Sequence, residues 1–66
     1  MTEAEAAALA GIPTDHRMAL TGGSLSGLDD HQRQYFDELD ANGNLVARWL
    51  GIQVGEGKVT NSIRKL

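Results

Sequence analysis

The sequence predicts an α+β domain in which a short N-terminal helix precedes a three- or four-stranded antiparallel β-meander. The first observation is an N-terminal capping motif followed by a run of alanines, which is typical of a helix start. The second is a turn signature at residues 40–43, which lies between two runs rich in strand-favouring residues. Together they predict a meander centred on one hairpin.

The helix is expected within residues 1–13. Thr2 and Glu5 have the capping-box spacing, in which the threonine hydroxyl accepts a backbone hydrogen bond and the glutamate side chain reaches back. The alanine-rich run that follows has high helix propensity. Gly11 is placed to end the helix, and Pro13 prevents its continuation. This segment buries little apolar surface, because its apolar side chains are mostly alanine.

The next two segments are a strand and a connector. Residues 15–21 are expected to form a first strand, since Met18 and Leu20 alternate with smaller or polar residues. Residues 21–27, T-G-G-S-L-S-G, are predicted to be a flexible connector because glycine and serine favour loops. The core of the meander is then expected in residues 34–66, within a single domain of residues 1–66.

The central turn is Asp40-Ala41-Asn42-Gly43. The Asp40 carboxylate is expected to accept a hydrogen bond from a backbone N–H two residues further on, as in a type I turn. Gly43 supplies the positive φ that a short hairpin loop needs at its exit. The surrounding segment, residues 39–45, resembles in a single copy the hairpin turn of tyrosine–aspartate repeat proteins.

The strands beside this turn have mixed faces. Tyr35, Asp37 and Leu39 are expected to share one face, and Phe36 and Glu38 the other, because side chains alternate along a strand. Neither face is cleanly apolar, which indicates partial cover on both sides or an edge position. Residues 58–64 are expected to return as a third strand, with residues 59, 61 and 63 on one face.

An all-α helix-turn-helix domain is the alternative fold. Residues 46–52 resemble the second helix and turn of helix-turn-helix DNA-binding domains, and residues 56–66 resemble a recognition helix with apolar residues at helical spacing. The turn is longer than in that family, and Gly55 and Gly57 stand where the recognition helix should begin. The resemblance implies a DNA-binding regulator. Its nucleic-acid contacts would be Lys58, Thr60, Asn61, Arg64 and Lys65.

Length and composition indicate that the domain acts by association. A chain of 66 residues is marginally stable alone, and without cysteine it has neither a disulfide nor a thiolate zinc site. Self-association is the simplest source of further stability. We therefore expect a homodimer, or contact with another protein, rather than an enzyme. The apolar anchors of that interface are expected to be Tyr35, Phe36, Trp49 and Leu50.

The charges are distributed unevenly. Eight acids and two arginines precede residue 44, whereas one acid and four bases follow it. The basic part is suited to nucleic-acid phosphates under the helical alternative, or to the acidic part of the same chain or of a second copy.

The sequence contains no recognisable site for catalysis, a cofactor or a metal. His16 and His31 have no clear third ligand, and Ser24 and Ser26 lack the context of a nucleophile elbow. No apolar run is long enough to span a bilayer, and the N-terminus lacks the pattern of a secretory signal. We therefore expect a cytoplasmic protein without cofactor, metal or membrane contact.

Overall fold

A computed structural model confirms the predicted α+β fold. One antiparallel sheet has the strand order β1-β2-β3-β4 of a meander, with one helix before it. The structure describes residues 1–26, 31–55 and 58–66 and, for residues 24–26 and 31, the backbone alone. The all-α alternative is wrong. The elements are α1 Glu3–Ala10, β1 Arg17–Ser26, β2 His31–Leu39, β3 Leu45–Val54 and β4 Thr60–Lys65.

Helix α1 begins and ends as predicted. The Thr2 hydroxyl accepts from the Glu5 N–H at 3.0 Å, and the Glu5 carboxylate accepts from the Thr2 N–H at 2.8 Å. Gly11 adopts the left-handed conformation at φ 66°, and its N–H donates to the Ala7 carbonyl. A helix of eight residues is unstable in isolation, so packing against the sheet must hold it.

The predicted hairpin turn is also confirmed. The Asp40 carboxylate accepts from the N–H groups of Asn42 and Asn44, each at 2.9 Å, and the Gly43 N–H donates to the Asp40 carbonyl. The backbone hydrogen bond from Asn44 is the main reason that the pKa of Asp40 is lowered. Gly43 has φ 83°, a conformation that favours glycine. The turn therefore connects β2 to β3 through contacts made within five consecutive residues.

Gly43→Ala is expected to lower the free energy of unfolding by about 1 kcal/mol, because any residue with a Cβ is strained at this φ. The effect is purely conformational, since a Cβ at Gly43 would meet nothing within 4 Å. Gly22→Ala is the matched control, because Gly22 also has open space but lies in β1 without a positive φ. Urea unfolding measures both. Equal effects at the two positions would show that the turn conformation is not the cause.

The two segments that resemble helices of a helix-turn-helix domain belong to the sheet instead. Residues 46–52 lie in β3, and most of residues 56–66 form β4, apart from residues 56 and 57, which lie outside the described residues. Gly51, which the helical alternative places in a turn, lies in β3 opposite Gln34. A Cβ there would lie 3.0 Å from Met1 Cε and 3.1 Å from Phe36 Cε2. Close packing over a strand is therefore the reason for this glycine.

The prediction of a flexible connector at residues 21–27 is wrong for the residues that the structure describes, because they belong to strand β1. Residues 21–26 continue β1, and Gly27 lies outside the described residues. The strand pairs with β2 as far as Ser26 opposite His31, and this ladder outweighs the low strand propensity of glycine and serine. At Gly23 a Cβ would lie 2.8 Å from the Arg33 carbonyl oxygen, so a small residue permits the close approach. The first strand is therefore residues 17–26 rather than 15–21.

The core lies on the inner face of the sheet, the face that α1 covers. Ala6, Met18 and Phe36 are buried there, and Met1 and Ile63 are among the residues that pack around them. The predicted third strand is β4, and its more buried positions are Asn61 and Ile63, as alternation requires. The core thus uses α1 and β1 as well as residues 34–66. The opposite face of the sheet is left without a covering element among the described residues.

Candidate functional site

Strand alternation determines which side chains lie on the uncovered side of the sheet. Phe36 is 1% exposed on the inner face, whereas its neighbour Tyr35 points the other way and is 40% exposed. Cross-strand pairing then places Tyr35 beside Leu50, and Leu50 beside Arg64, in one row. We call this side the outer face. Its larger side chains include Arg17, Arg33, Tyr35, Asp37, Arg48, Leu50, Ile52, Arg64 and Leu66.

The middle of the outer face is apolar and concave. Leu50 is buried between its neighbours, Ile52 is partly buried, and Tyr35 and Leu66 are exposed. A groove of about 350 Å³ lies beside them, lined in part by Thr21, Tyr35 and Leu66. Contiguous exposed apolar surface on a small domain is typical of an interaction site.

The outer face also carries charge of both signs. Arg17, Arg33, Arg48 and Arg64 lie on it, and Asp37 is the one acid on it among the residues that the structure describes. Arg48 Nε is 3.6 Å from Asp37 Oδ1, and the Arg48 side chain is 68% exposed. An ion pair this long and this exposed contributes little to the stability of one chain. The Arg48 guanidinium remains accessible to a second molecule.

The structure separates the four residues that the sequence grouped as an interface. Tyr35 and Leu50 lie opposite each other on the outer face, but Phe36 and Trp49 lie opposite each other on the inner face. Phe36 is a core residue, and Trp49 packs against the core, so neither lies on the surface that holds Tyr35. No sequence pattern identifies Asp37, Arg48 or Arg33 as site residues, because their common position depends on strand register.

The residues of the DNA-binding alternative do not form one surface. Lys58 precedes β4, which contains the other four. Alternation puts Thr60 and Arg64 on the side of Leu50, whereas Asn61 and Lys65 lie on the side of the core. The Lys65 ammonium lies 5.8 Å above the Trp49 ring. A recognition-helix arrangement of these residues is therefore wrong.

A second polar cluster lies at the edge of the core. The buried Glu38 carboxylate has one oxygen 2.6 Å from His16 Nδ1, and the other accepts from Trp49 Nε1 at 2.9 Å. The hydrogen bond with His16 is the main cause of the lowered pKa of Glu38. Both carboxylate oxygens are thus committed to protein partners. Within the described residues there is no group of three acids or histidines that could hold a metal ion.

No protein-family model matches the chain, and neither a curated protein nor a solved structure is similar to it. Across the described ranges, no helix is both long and apolar enough to cross a membrane. The chemistry of the outer face therefore carries the functional inference.

Proposed function

We propose that this chain is a non-enzymatic domain that acts by self-association, as a homodimer whose two sheets contact through their outer faces. The observation that supports this most is the uncovered row of Tyr35 and Leu50, with Ile52 and Leu66 beside it. A sheet with apolar side chains on both sides is stable when both sides are covered, and α1 covers only one of them.

The small core favours the same proposal. Among the described residues, the buried apolar side chains are Ala6, Met18, Phe36 and Leu50, and only the first three form the cluster beneath α1. Leu50 lies on the other side of the sheet, where it is buried between its neighbours, whereas Tyr35 beside it is 40% exposed. Covering the outer face would give the chain a second apolar layer.

The outer face approaches the size of a standard protein interface. The two longest dimensions of the molecule are 39 and 19 Å, which limits the face to an area of about 700 Å². Standard interfaces bury about 800 Å² per partner. A second copy suits this face because Asp37 and Arg48 are both on it, so the same surface supplies both members of an ion pair.

Tyr35→Lys is expected to convert the dimer to a monomer, because it places a further cation in the apolar centre of a face that already carries four arginines. Leu9→Lys is the matched control, since Leu9 is 48% exposed on α1, away from the outer face. Sedimentation equilibrium of both variants and the wild type, at micromolar concentration, measures the effect. A wild-type protein that is folded and monomeric under these conditions would contradict the proposed function.

A further inference from the structure

Two sheets that pack through identical faces with their strands aligned can be related by a two-fold axis in two ways. The two-fold axis lies between the sheets and runs either along the strands or across them, and in each case every contact between two different residues occurs twice. The two arrangements oppose different residues. The observed strand register determines which residues these are.

With the axis along the strands and between β2 and β3, these two strands exchange places in the second copy. Each β2 residue then faces the residue that is its own cross-strand partner within the chain. Asp37 pairs with Arg48, and Tyr35 pairs with Leu50. Asp37 therefore faces Arg48 of the second copy, and Tyr35 faces Leu50 of the second copy.

The same arrangement keeps the two Arg64 residues of the dimer apart. Strands β1 and β4 also exchange places, so that Arg64 faces Gly22, which lies in the row of Tyr35. Gly22 has open space around it, which leaves room for a long side chain. The two Arg64 residues are then separated laterally by three strand spacings, about 14 Å.

With the axis across the strands, through the row of Tyr35 and Leu50, every strand faces itself in the reverse direction. Arg64 then faces Arg64 of the second copy, which is a like-charge contact and unfavourable. Arg48 faces Ile52, but Arg33 faces Ile52 when the axis lies along the strands, so this kind of contact does not distinguish the two arrangements. Asp37 faces Arg33 in this arrangement. The Arg64–Arg64 contact, which occurs only when the axis crosses the strands, therefore favours the axis along the strands.

We propose that two copies associate about a two-fold axis along the strands and exchange the Asp37–Arg48 ion pair between them. This inference rests on the proposed function and specifies its contacts. Within one chain the pair is 3.6 Å long and largely solvated. Between two sheets it is shielded from water and occurs twice, which strengthens each charge-assisted contact.

The test uses two single variants, Asp37→Arg and Arg48→Asp, alone and mixed in equal amounts. Each variant alone is expected to dimerise at least tenfold more weakly, because like charges then face each other twice. The mixture is expected to form a heterodimer in which both facing pairs have opposite charges. This recovery has no origin within one chain, since each variant keeps two like charges at these positions. Native mass spectrometry identifies the heterodimer, and circular dichroism verifies that each variant is folded.

A second mixture distinguishes the two arrangements. Asp37→Arg mixed with Arg33→Asp is expected to give Arg33→Asp homodimers but no heterodimers. In the proposed arrangement Arg33→Asp keeps both Asp37–Arg48 contacts with its own copies, whereas a heterodimer would set one arginine against another. Residues 33 and 37 face each other only when the axis crosses the strands. Heterodimers in this mixture and not in the first would overturn the proposed axis but retain self-association. Wild-type protein that is monomeric would overturn the proposed function itself. Equal dimerisation of every variant would show that the contact lies elsewhere.

Discussion

Replacing Phe36 with alanine is expected to leave most of the protein unfolded at room temperature. Phe36 is 1% exposed at the centre of the cluster with Ala6 and Met18, and its ring packs over Gly51. Truncating a buried phenylalanine costs about 3–5 kcal/mol, through lost transfer energy and the remaining cavity. A domain this small has a total stability of about 3–5 kcal/mol. The substitution therefore removes most of the available stability.

Urea unfolding followed by circular dichroism measures this effect, at one fixed protein concentration because association is coupled to stability. Leu9→Ala is the control, since Leu9 is 48% exposed and its truncation is expected to change stability by about 0.5 kcal/mol or less. Phe36→Leu, which keeps most of the apolar volume, should be intermediate. A cooperative transition for Phe36→Ala within the error of the wild type would contradict the assignment of this core.

Replacing Glu38 with alanine is expected to have the second largest effect. The substitution leaves Trp49 Nε1 and His16 Nδ1 without their present partner in a partly buried site. An unsatisfied buried donor costs about 1–3 kcal/mol. We expect a loss of about 2 kcal/mol in the free energy of unfolding, measured by urea unfolding near neutral pH. Loss of less than a quarter of that value would show that water replaces the carboxylate without cost.

The same residue predicts how stability depends on pH. The His16 hydrogen bond lowers the pKa of Glu38 in the folded state from its usual value of 4.5. The unfolded chain therefore binds more protons than the folded one between these two pKa values, so stability rises with pH across this interval. The stabilisation is complete above the unfolded pKa and is lost as the pH falls through the folded pKa.

Glu38→Gln isolates this contribution, because it retains an oxygen acceptor but does not titrate. Its stability is expected to fall less steeply than that of the wild type as the pH falls from the usual pKa of 4.5 through the lowered pKa of folded Glu38. Some acid sensitivity remains in the variant, since backbone hydrogen bonds also lower the pKa of Glu5 and Asp40. An unchanged slope in Glu38→Gln would contradict the role of the Glu38–His16 contact.

The features predicted most accurately depend on neighbouring residues. The Thr2–Glu5 capping box and the Gly11 terminus require only the residues of α1 itself, and both are present. The Asp40–Gly43 turn likewise forms its hydrogen bonds within one loop. These interactions are specified by side-chain chemistry at short spacing, so they are recognisable without a tertiary structure.

The features predicted incorrectly depend on distant partners. Residues 21–26 have the composition of a loop but become a strand because β2 offers a complementary backbone edge. Gly51 has the spacing of a helix-turn-helix glycine, yet it is required because Met1 and Phe36 pack directly over it. The composition of a segment does not reveal which other segment will pair with it or cover it.

In the candidate site, too, some features depend on neighbouring residues and others on distant ones. By itself, the sequence determined that Tyr35 and Phe36 point to opposite faces, because alternation is a local property of a strand. Only the tertiary structure decided which face α1 covers, and hence that Phe36 is core and Tyr35 is surface. It alone placed Asp37 beside Arg48 and Leu50 beside Arg64. The physical reason is that register between strands is set by the whole sheet and its core, whereas caps, turns and alternation are set within a few bonds.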